Sequence, residues 1–157
     1  MNFQIKDGYA RREVSILDGM PTPEKVRELE KGVLALPQVD LQTTNVVHGE
    51  MCARTFFVPA GTIVTGAQTN KDNIVIFSGD ITVTTDEGTQ RLTGYHVIKA
   101  GAGFKRAGVT HADTWVTTIW PTQLTDINEI EDEMTNESEM LQTRRPRIVY
   151  EKAEVLT

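Results

Sequence analysis

The sequence predicts an all-β fold, a small antiparallel barrel preceded by one helix and followed by a short acidic helical segment. Between residues 45 and 121, at least six short runs rich in Val, Ile, Thr, Phe and Trp follow one another, separated by glycine-containing turns. No stretch between these runs is long enough for the crossover helix that a parallel sheet needs. The strands are therefore expected to pair antiparallel, as a sandwich or a barrel.

The first element predicted is a helix between two prolines. Thr22 is placed to cap it, Pro23 suits its first position, and Pro37 ends it. Four apolar residues recur at steps of three and four and form one stripe: Val26, Leu29, Val33 and Leu36. We expect this helix to lie as a surface layer on the sheet.

The strands of the barrel follow. The runs are CARTFFVP, NIVIFSG, DITVTT, TQRL, HVIKA and TWVTTIW, and turns are predicted at residues 59–61, 78–80, 86–88, 93–94 and 101–103. Phe56 and Phe57 are adjacent in one run, and Trp115 and Trp120 lie five residues apart in another, so each pair faces opposite sides of its strand. Large apolar residues on both faces favour a homo-oligomer. Cys52 is expected to be a buried small hydrophobe.

The third segment is acidic. Seven acids and no Lys or Arg stand between residues 126 and 139. Thr125 is predicted to cap a helix that starts at Asp126, and Asn136 to cap a second one over ESEMLQTR. Arg144, Arg145 and Arg147 then precede an extended end, and they are expected to pair with the acids of the same or a neighbouring subunit. Two interpretations of the acids stay open: a solvated face, or a docking surface for a basic partner.

Composition excludes several classes of protein. The 157 residues fit one folded unit, with an N-terminal extension (1–44), a barrel (45–121) and the acidic segment (122–157). No run approaches the ~20 apolar residues of a membrane span, and a single cysteine excludes an intrachain disulfide. A net charge of -6 argues against nucleic acid as a partner. The N-terminus has no apolar core of a secretory signal, so we expect a cytoplasmic location.

The central segment resembles the first motif of the cupin superfamily: Gly, five residues, His-x-His, three or four residues, Glu, six residues, Gly. Gly61 can be the opening glycine and Gly79 the closing one, with Asp72 at the position of the Glu. The two histidine positions fall among residues 66 to 69, on residues such as Ala67, Gln68 or Thr69. Neither is a histidine.

The second cupin motif runs Gly, five residues, Pro-x-Gly, two residues, His, three residues, Asn. Gly108 and His111 match its Gly-x-x-His core, while Arg106 stands at the proline position and Trp115 at the final Asn. Ala100 or Gly101 takes the place of its opening glycine. The resemblance implies a cupin-type antiparallel jelly-roll barrel.

Catalytic cupins hold a transition metal with three histidines and a carboxylate, because imidazole and carboxylate leave open positions for substrate. Only Asp72 and His111 remain here, so neither a metal nor another cofactor is predicted. His48 and His96 could contribute only if their strands point inward. The competing interpretation of His111 is a turn residue bonded to backbone or to Asp113.

Two functions follow from the resemblance. The first is a non-catalytic cupin-fold structural or binding protein that forms homo-oligomers; the stretches VHGEMCARTFFVPAGT and AGVTHADTWVTTIW also resemble cupin-like proteins of tailed phages, which implies a virion or phage accessory protein with other phage proteins as partners. The second is a metal-independent enzyme of the sugar isomerase or epimerase type, acting on a small polar or anionic substrate. His111 would then be the general base and Asp72 would orient it.

The residues predicted to bind a ligand lie around the same barrel. They are Lys105, Arg106, Trp115 and His96. Lys105 and Arg106 would hold an anion at the barrel mouth, and the alternative is that both are solvated charges on a loop. Gly101-Ala102-Gly103 has too few glycines and no following helix for a phosphate-binding loop.

Overall fold

The computed structural model describes residues 2–4 and 22–144. Its strands are β1 (Asn2–Gln4), β2 (Gln42–His48), β3 (Met51–Val58), β4 (Thr62–Thr65), β5 (Asn73–Thr85), β6 (Gly88–Ala100), β7 (Ala107–Thr110) and β8 (Thr114–Pro121). Helix α1 (Pro23–Leu34) precedes β2, and helix α2 (Ile127–Met134) and a 3-10 turn (Ser138–Met140) follow β8. All strand pairs are antiparallel. The predicted all-β class, with a helix before the sheet and a helical segment after it, is confirmed.

Helix α1 forms as its sequence predicts. The backbone N–H of Lys25 donates to Oγ1 of Thr22 at 3.2 Å, which satisfies one of the free donors of the first turn. Three residues of the apolar stripe are buried: Val26, Leu29 and Val33. They pack against Ile63, Ala107 and Val109 on β4 and β7, and Leu36 lies against the same cluster.

Strand β5 organises the sheet, which runs β1-β4-β7-β5-β8-β3-β2, with β6 paired along the whole of β5. Residues 74–78 of β5 pair with β8, and residues 81–83 pair with β7. The sheet thus curls about the middle of β5. We call one half of the sheet the helix half, because α1 packs on it; it consists of β1, β4, β7 and the second part of β5. The other half, which we call the bare half, consists of β2, β3, β8 and the first part of β5.

Two predicted turns are wrong at this point. Residues 78–80 and 93–94 lie inside the 13-residue strands β5 and β6, where Gly79 faces Gly94. Gly79 has φ +150°, and a Cβ there would lie 2.4 Å from Oγ1 of Thr114 and 2.6 Å from the carbonyl oxygen of Asp113. The glycine therefore allows β5 to bend against the β7–β8 turn without ending. The predicted turn at 86–88 does form, with Gly88 at φ +105°.

The C-terminal segment differs from its prediction in two places. Asp126, and not Thr125, caps α2, since its Oδ1 accepts from the backbone N–H of Glu129 at 3.1 Å. The helix predicted over ESEMLQTR is reduced to the 3-10 turn Ser138–Met140. Arg145, Arg147 and the extended end lie outside the described residues.

Within residues 2–4 and 22–144, no helix combines the length and the apolar character that a membrane crossing requires.

Candidate functional site: a cavity between the two halves of the sheet

The inner faces of the two halves, together with part of the C-terminal segment, line a cavity of about 150 Å³. Its walls are mainly apolar, and the aromatic part consists of Phe56, Phe77, Phe104 and Trp120. A hydrophobic cavity of this size holds a benzene-sized molecule in another protein. The space therefore suits a small ligand.

Strand alternation explains which side chains reach the cavity. Arg54, Phe56 and Val58 alternate along β3 and all line it, as do Val116, Thr118 and Trp120 along β8. The register places Arg54 opposite Thr118 and Phe56 opposite Val116. Each strand thus turns every second residue inward.

Arg54 is buried in the wall of the cavity and paired with α2. Its Nη1 donates to Oε2 of Glu131 at 2.7 Å, and its Nη2 donates to Oγ1 of Thr143 at 3.3 Å. Glu131 is buried as well and also accepts from Nε of Arg144 at 3.3 Å. One carboxylate therefore serves two guanidinium groups.

Arg106, one of the predicted ligand-binding residues, does line the cavity. Its guanidinium lies 5.5 Å from the ring centre of Phe77 and 5.0 Å from that of Phe104. Its Nε donates to the carbonyl oxygen of Thr84 at 3.3 Å. Among the described residues, no carboxylate lies within ion-pair distance of this guanidinium.

Burial lowers the pKa of Arg106 to about 10, an effect that the charge of Asp86 partly opposes. The side chain is half-buried, and it stays protonated at neutral pH. Of the described residues that line the cavity, the charged ones are Arg54, Arg106 and Glu131. Two positive charges against one negative charge leave an excess of +1 in the wall, inside a chain whose net charge is -6.

Two buried donors in the wall have no acceptor among the residues that the structure describes. They are Nε of Arg54 and Nε1 of Trp120, and both residues line the cavity. Trp120 faces Cys52 across β3 and β8, and Arg54 lies two residues further along β3. Cys52 is buried as predicted, and burial raises the pKa of its thiol.

His111 and Asp72 do not come together. His111 is exposed in the turn between β7 and β8, its Nε2 lies 2.7 Å from Oγ1 of Thr82, and its backbone N–H donates to the carbonyl oxygen of Asp80. Asp72 precedes β5, and its Oδ1 accepts from the backbone N–H of Ala102 at 2.8 Å. His111 therefore lies beside Asp80, whereas Asp72 stands eight residues earlier on the chain. Neither His111 nor Asp72 lines the cavity.

Lys105 is neither a solvated loop charge nor a free anion receptor. It is 2% exposed, and its Nζ lies 3.1 Å from Oε2 of Glu30 and 2.9 Å from Oε2 of Glu137. It also donates to the carbonyl oxygen of Gly66 at 2.9 Å. Its charge is thus used inside the protein to hold α1 and the C-terminal segment against the barrel.

Most of the acids of residues 126–139 are likewise paired with cations inside the protein. Four of the seven form ion pairs with basic residues in the described part of the chain: Glu131, Asp132, Glu133 and Glu137. The predicted pairing of Arg144 with these acids is confirmed. The solvated-face interpretation therefore holds for only part of the segment.

His96, His48 and Trp115 lie elsewhere. Nε2 of His96 lies 2.8 Å from the carbonyl oxygen of Thr93, and His48 is exposed at the end of β2. Trp115 is 50% exposed on the outer face of β8, with its ring centre 4.8 Å from that of Phe57. Trp120 and Phe56, and not Trp115 and Phe57, are the members of each pair that face the cavity.

The metal of catalytic cupins does not fit these residues. Ala67 and Thr69, at the motif's histidine positions, do line the cavity, but neither carries a transition-metal ligand. Asp72 and His111 are engaged with Ala102 and Thr82 in different places. In the part of the chain that the structure describes, no group of three or more His, Cys, Asp or Glu could hold a metal ion.

Arg54, Trp120 and Glu131 were not predicted as site residues. A signal for Arg54 was present, because alternation along CARTFFV puts this single charge on the same face as Cys52 and Phe56. Trp120 was predicted only to lie on the face opposite Trp115. Glu131 had no local signal, since its partner Arg54 stands 77 residues away.

No family model matches the chain, and no curated protein matches it. Solved structures do. A cupin superfamily protein from Desulfitobacterium hafniense is 12% identical over 54% of this chain and 79% of that chain, with a TM-score of 0.44. An RmlC-like cupin from Methanocaldococcus jannaschii is 12% identical over 53% and 81%, with a TM-score of 0.44. KdgF from Halomonas sp. is 16% identical over 55% and 90%, also at 0.44. This likeness concerns the arrangement of strands and not activity, ligand or partner.

Proposed function

We propose that the protein is a binding protein without catalytic machinery, which holds one small and mainly apolar molecule in the cavity between the two halves of its sheet. The observation that supports this function is the cavity itself, about 150 Å³ of space with aromatic walls and a few polar groups. Binding sites for small molecules are commonly concave and apolar, with a few placed polar groups that orient the ligand.

Filling the cavity tests this function. Val116 lies on β8 between Phe56 and the neighbouring strand β5, where it faces Phe77. Val116→Phe places a ring in the cavity, so we expect it to abolish binding of benzyl alcohol and benzoate measured by saturation-transfer NMR. The matched control is Val97→Phe, on the exposed outer face of β6, which should leave binding unchanged. Equal binding by wild type and Val116→Phe, or no binding of either probe to wild type, would contradict the proposal.

A homo-oligomer is the second part of the proposal. Large apolar side chains are exposed on the outer face of the bare half and the adjoining part of β6: Val46, Ile74, Tyr95, Val97 and Trp115. Exposed apolar faces of this kind are typical of contacts between protein subunits. In sedimentation velocity we expect wild type to exceed the 17.5 kDa of one chain. Trp115→Glu should shift it to the monomer, whereas Leu34→Glu, at an exposed leucine of α1, should not.

The phage-related and enzymatic functions stay predictions from the sequence resemblance. A virion role would be tested by finding the chain in purified particles. The enzymatic alternative needs a base beside the ligand, and His111 and Asp72 do not line the cavity. No observation on the site favours it over binding.

A further inference from the structure

We infer that the ligand of the cavity is a small aromatic carboxylate, with its carboxylate on Arg106, its ring against the phenylalanines, and a second oxygen at its far end on Arg54 and Trp120. This inference rests on the proposed binding function and names the chemical class of the ligand.

The charge of the wall selects an anion. Arg106 has no carboxylate partner among the described residues, and Arg54 shares Glu131 with Arg144. Keeping a guanidinium in an apolar wall is unfavourable unless an anion or hydrogen-bond acceptor meets it. A ligand anion would supply that partner.

The geometry of Arg106 selects a planar anion. A guanidinium binds a carboxylate through two parallel N–H···O bonds, and this match is specific to planar, two-oxygen groups. The rings of Phe77 and Phe104 both lie against the guanidinium, at 5.5 and 5.0 Å. Its Nε is held by Thr84, so the two terminal amino groups are the donors left for a ligand.

The size and lining of the cavity select an aromatic body. The free space of about 150 Å³ accommodates one ring with a short substituent. Phe56, Phe77 and Phe104 supply ring faces and edges, and aromatic pairs gain from offset or edge-to-face packing. A long acyl chain or a sugar would not match both the volume and the apolar wall.

The unpaired donors on the other side of the cavity select a second oxygen. Nε of Arg54 and Nε1 of Trp120 are buried without an acceptor. The two residues are diagonal neighbours on β3 and β8, about 7–8 Å apart at Cα. On the inner face, Arg54 lies one row of side chains from Phe77, and Trp120 lies two rows from it. Successive rows along a strand are about 7 Å apart. A hydroxyl or carbonyl opposite the carboxylate on the ring would lie on the side of this corner.

The test compares three probes by isothermal titration calorimetry on the full chain: para-hydroxybenzoate, benzoate and the neutral para-hydroxybenzyl alcohol. We expect para-hydroxybenzoate to bind about 10-fold or more tightly than the alcohol, since a hydrogen-bonded ion pair is lost in the alcohol. Arg106→Gln should reduce the affinity for para-hydroxybenzoate to the level of the alcohol. Arg91→Gln is the matched control, because Arg91 pairs with Asp80 away from the cavity, and it should leave the affinity unchanged.

A third variant tests the far end. Trp120→Phe removes Nε1 and should weaken para-hydroxybenzoate by about 3-fold or more while changing benzoate less. The inference is wrong if the alcohol binds wild type as tightly as para-hydroxybenzoate, a comparison that needs no variant to fold. It is also wrong if Arg91→Gln weakens binding as much as Arg106→Gln.

The two proposals fail in different ways. If the neutral and charged probes bind wild type equally and Val116→Phe abolishes both, the binding function stands and the ligand class is wrong. If no probe binds wild type, the binding function itself fails.

Discussion

The outer faces of the two halves of the sheet differ in what covers them. On the helix half, Ile63, Ala107 and Val109 lie beneath α1 and are buried. On the bare half, the residues at equivalent outward positions include Ile74 and Trp115, each close to half exposed. The same strand chemistry thus gives a closed core on one side and an open apolar surface on the other, with the cavity between them. The difference indicates that α1 stabilises the helix half by covering it, whereas on the bare half Ile74 and Trp115 stay exposed.

The attachment of α1 should show the largest effect. Lys105→Met removes the cation that Glu30 on α1 and Glu137 on the C-terminal segment share, so that the buried Glu30 loses its ion-pair partner and Glu137 keeps Arg27. Breaking a buried ion pair by removing one partner costs about 3–5 kcal/mol. We expect a loss of this order in the free energy of unfolding, measured by urea denaturation.

The matched control for that experiment is Lys71→Met. Lys71 pairs with Glu133 at 2.6 Å, but both side chains are about one-third exposed. Partly exposed pairs contribute about 0–1 kcal/mol. Equal losses for the two lysine variants would contradict the structural role assigned to Lys105.

The apolar contact of α1 with the sheet should have the next largest effect. Leu29 is fully buried against the helix half, so Leu29→Ala should cost about 2–5 kcal/mol through lost burial and a residual cavity. Leu34→Ala on the exposed side of the same helix should cost less than about 1 kcal/mol. Thermal and urea unfolding measure both. If the two leucines cost the same, α1 does not cover the sheet as described.

The contrast between halves also shows where sequence patterns predict structure well. The period of Val26, Leu29 and Val33 is local, and so the helix and its buried face could be predicted. The bend at Gly79 could not, because Ser-Gly-Asp has the composition of a turn, and the reason for the glycine is the approach of Asp113 and Thr114 from 34 residues further along.

The site divides in the same way. Arg106 was predicted as an anion-binding residue from its place beside glycines, and it lines the cavity. Lys105, its neighbour, was also predicted to bind an anion, but it forms ion pairs with Glu30 and Glu137. Nothing local distinguishes the two, because the carboxylates come from α1 and from the C-terminal segment. The pattern of residues along one strand carries no information about pairing with residues that are far away in the sequence.

Acid should loosen the helix half in a defined range. Burial acts to raise the pKa of Glu137, but hydrogen bonds from the backbone N–H of Gln68 and from Lys105 and Arg27 outweigh it and lower the pKa below 4.5. A lowered pKa in the folded state means that the stabilisation is complete above the unfolded value of 4.5 and is lost as the pH falls through the folded value. We expect the melting temperature to fall as the pH drops below about 4.5.

Glu137→Gln separates this group from the others that titrate in acid. The variant should be less stable than wild type at neutral pH and should lose less of its stability on acidification, because one of the groups that take up protons is gone. Glu139→Gln, at an exposed position of the same segment, should retain the full acid dependence. An unchanged acid slope in Glu137→Gln would contradict the role of this carboxylate.

The bare half should show the smallest effect on the stability of one chain and the clearest dependence on concentration. Val97 is 57% exposed, and Val97→Thr keeps its branched shape while making the outer face more polar. If the face stays in water, the free energy of unfolding changes by less than about 0.5 kcal/mol at every protein concentration. If a second copy covers it, as we propose, the melting temperature of wild type rises with protein concentration and that of Val97→Thr rises less, because association stabilises only the folded chain. Melting curves over a wide range of protein concentration decide between the two. A wild-type melting temperature that does not depend on concentration would contradict a second copy on the bare half. It would leave α1 as the element that stabilises the outer surface of the sheet.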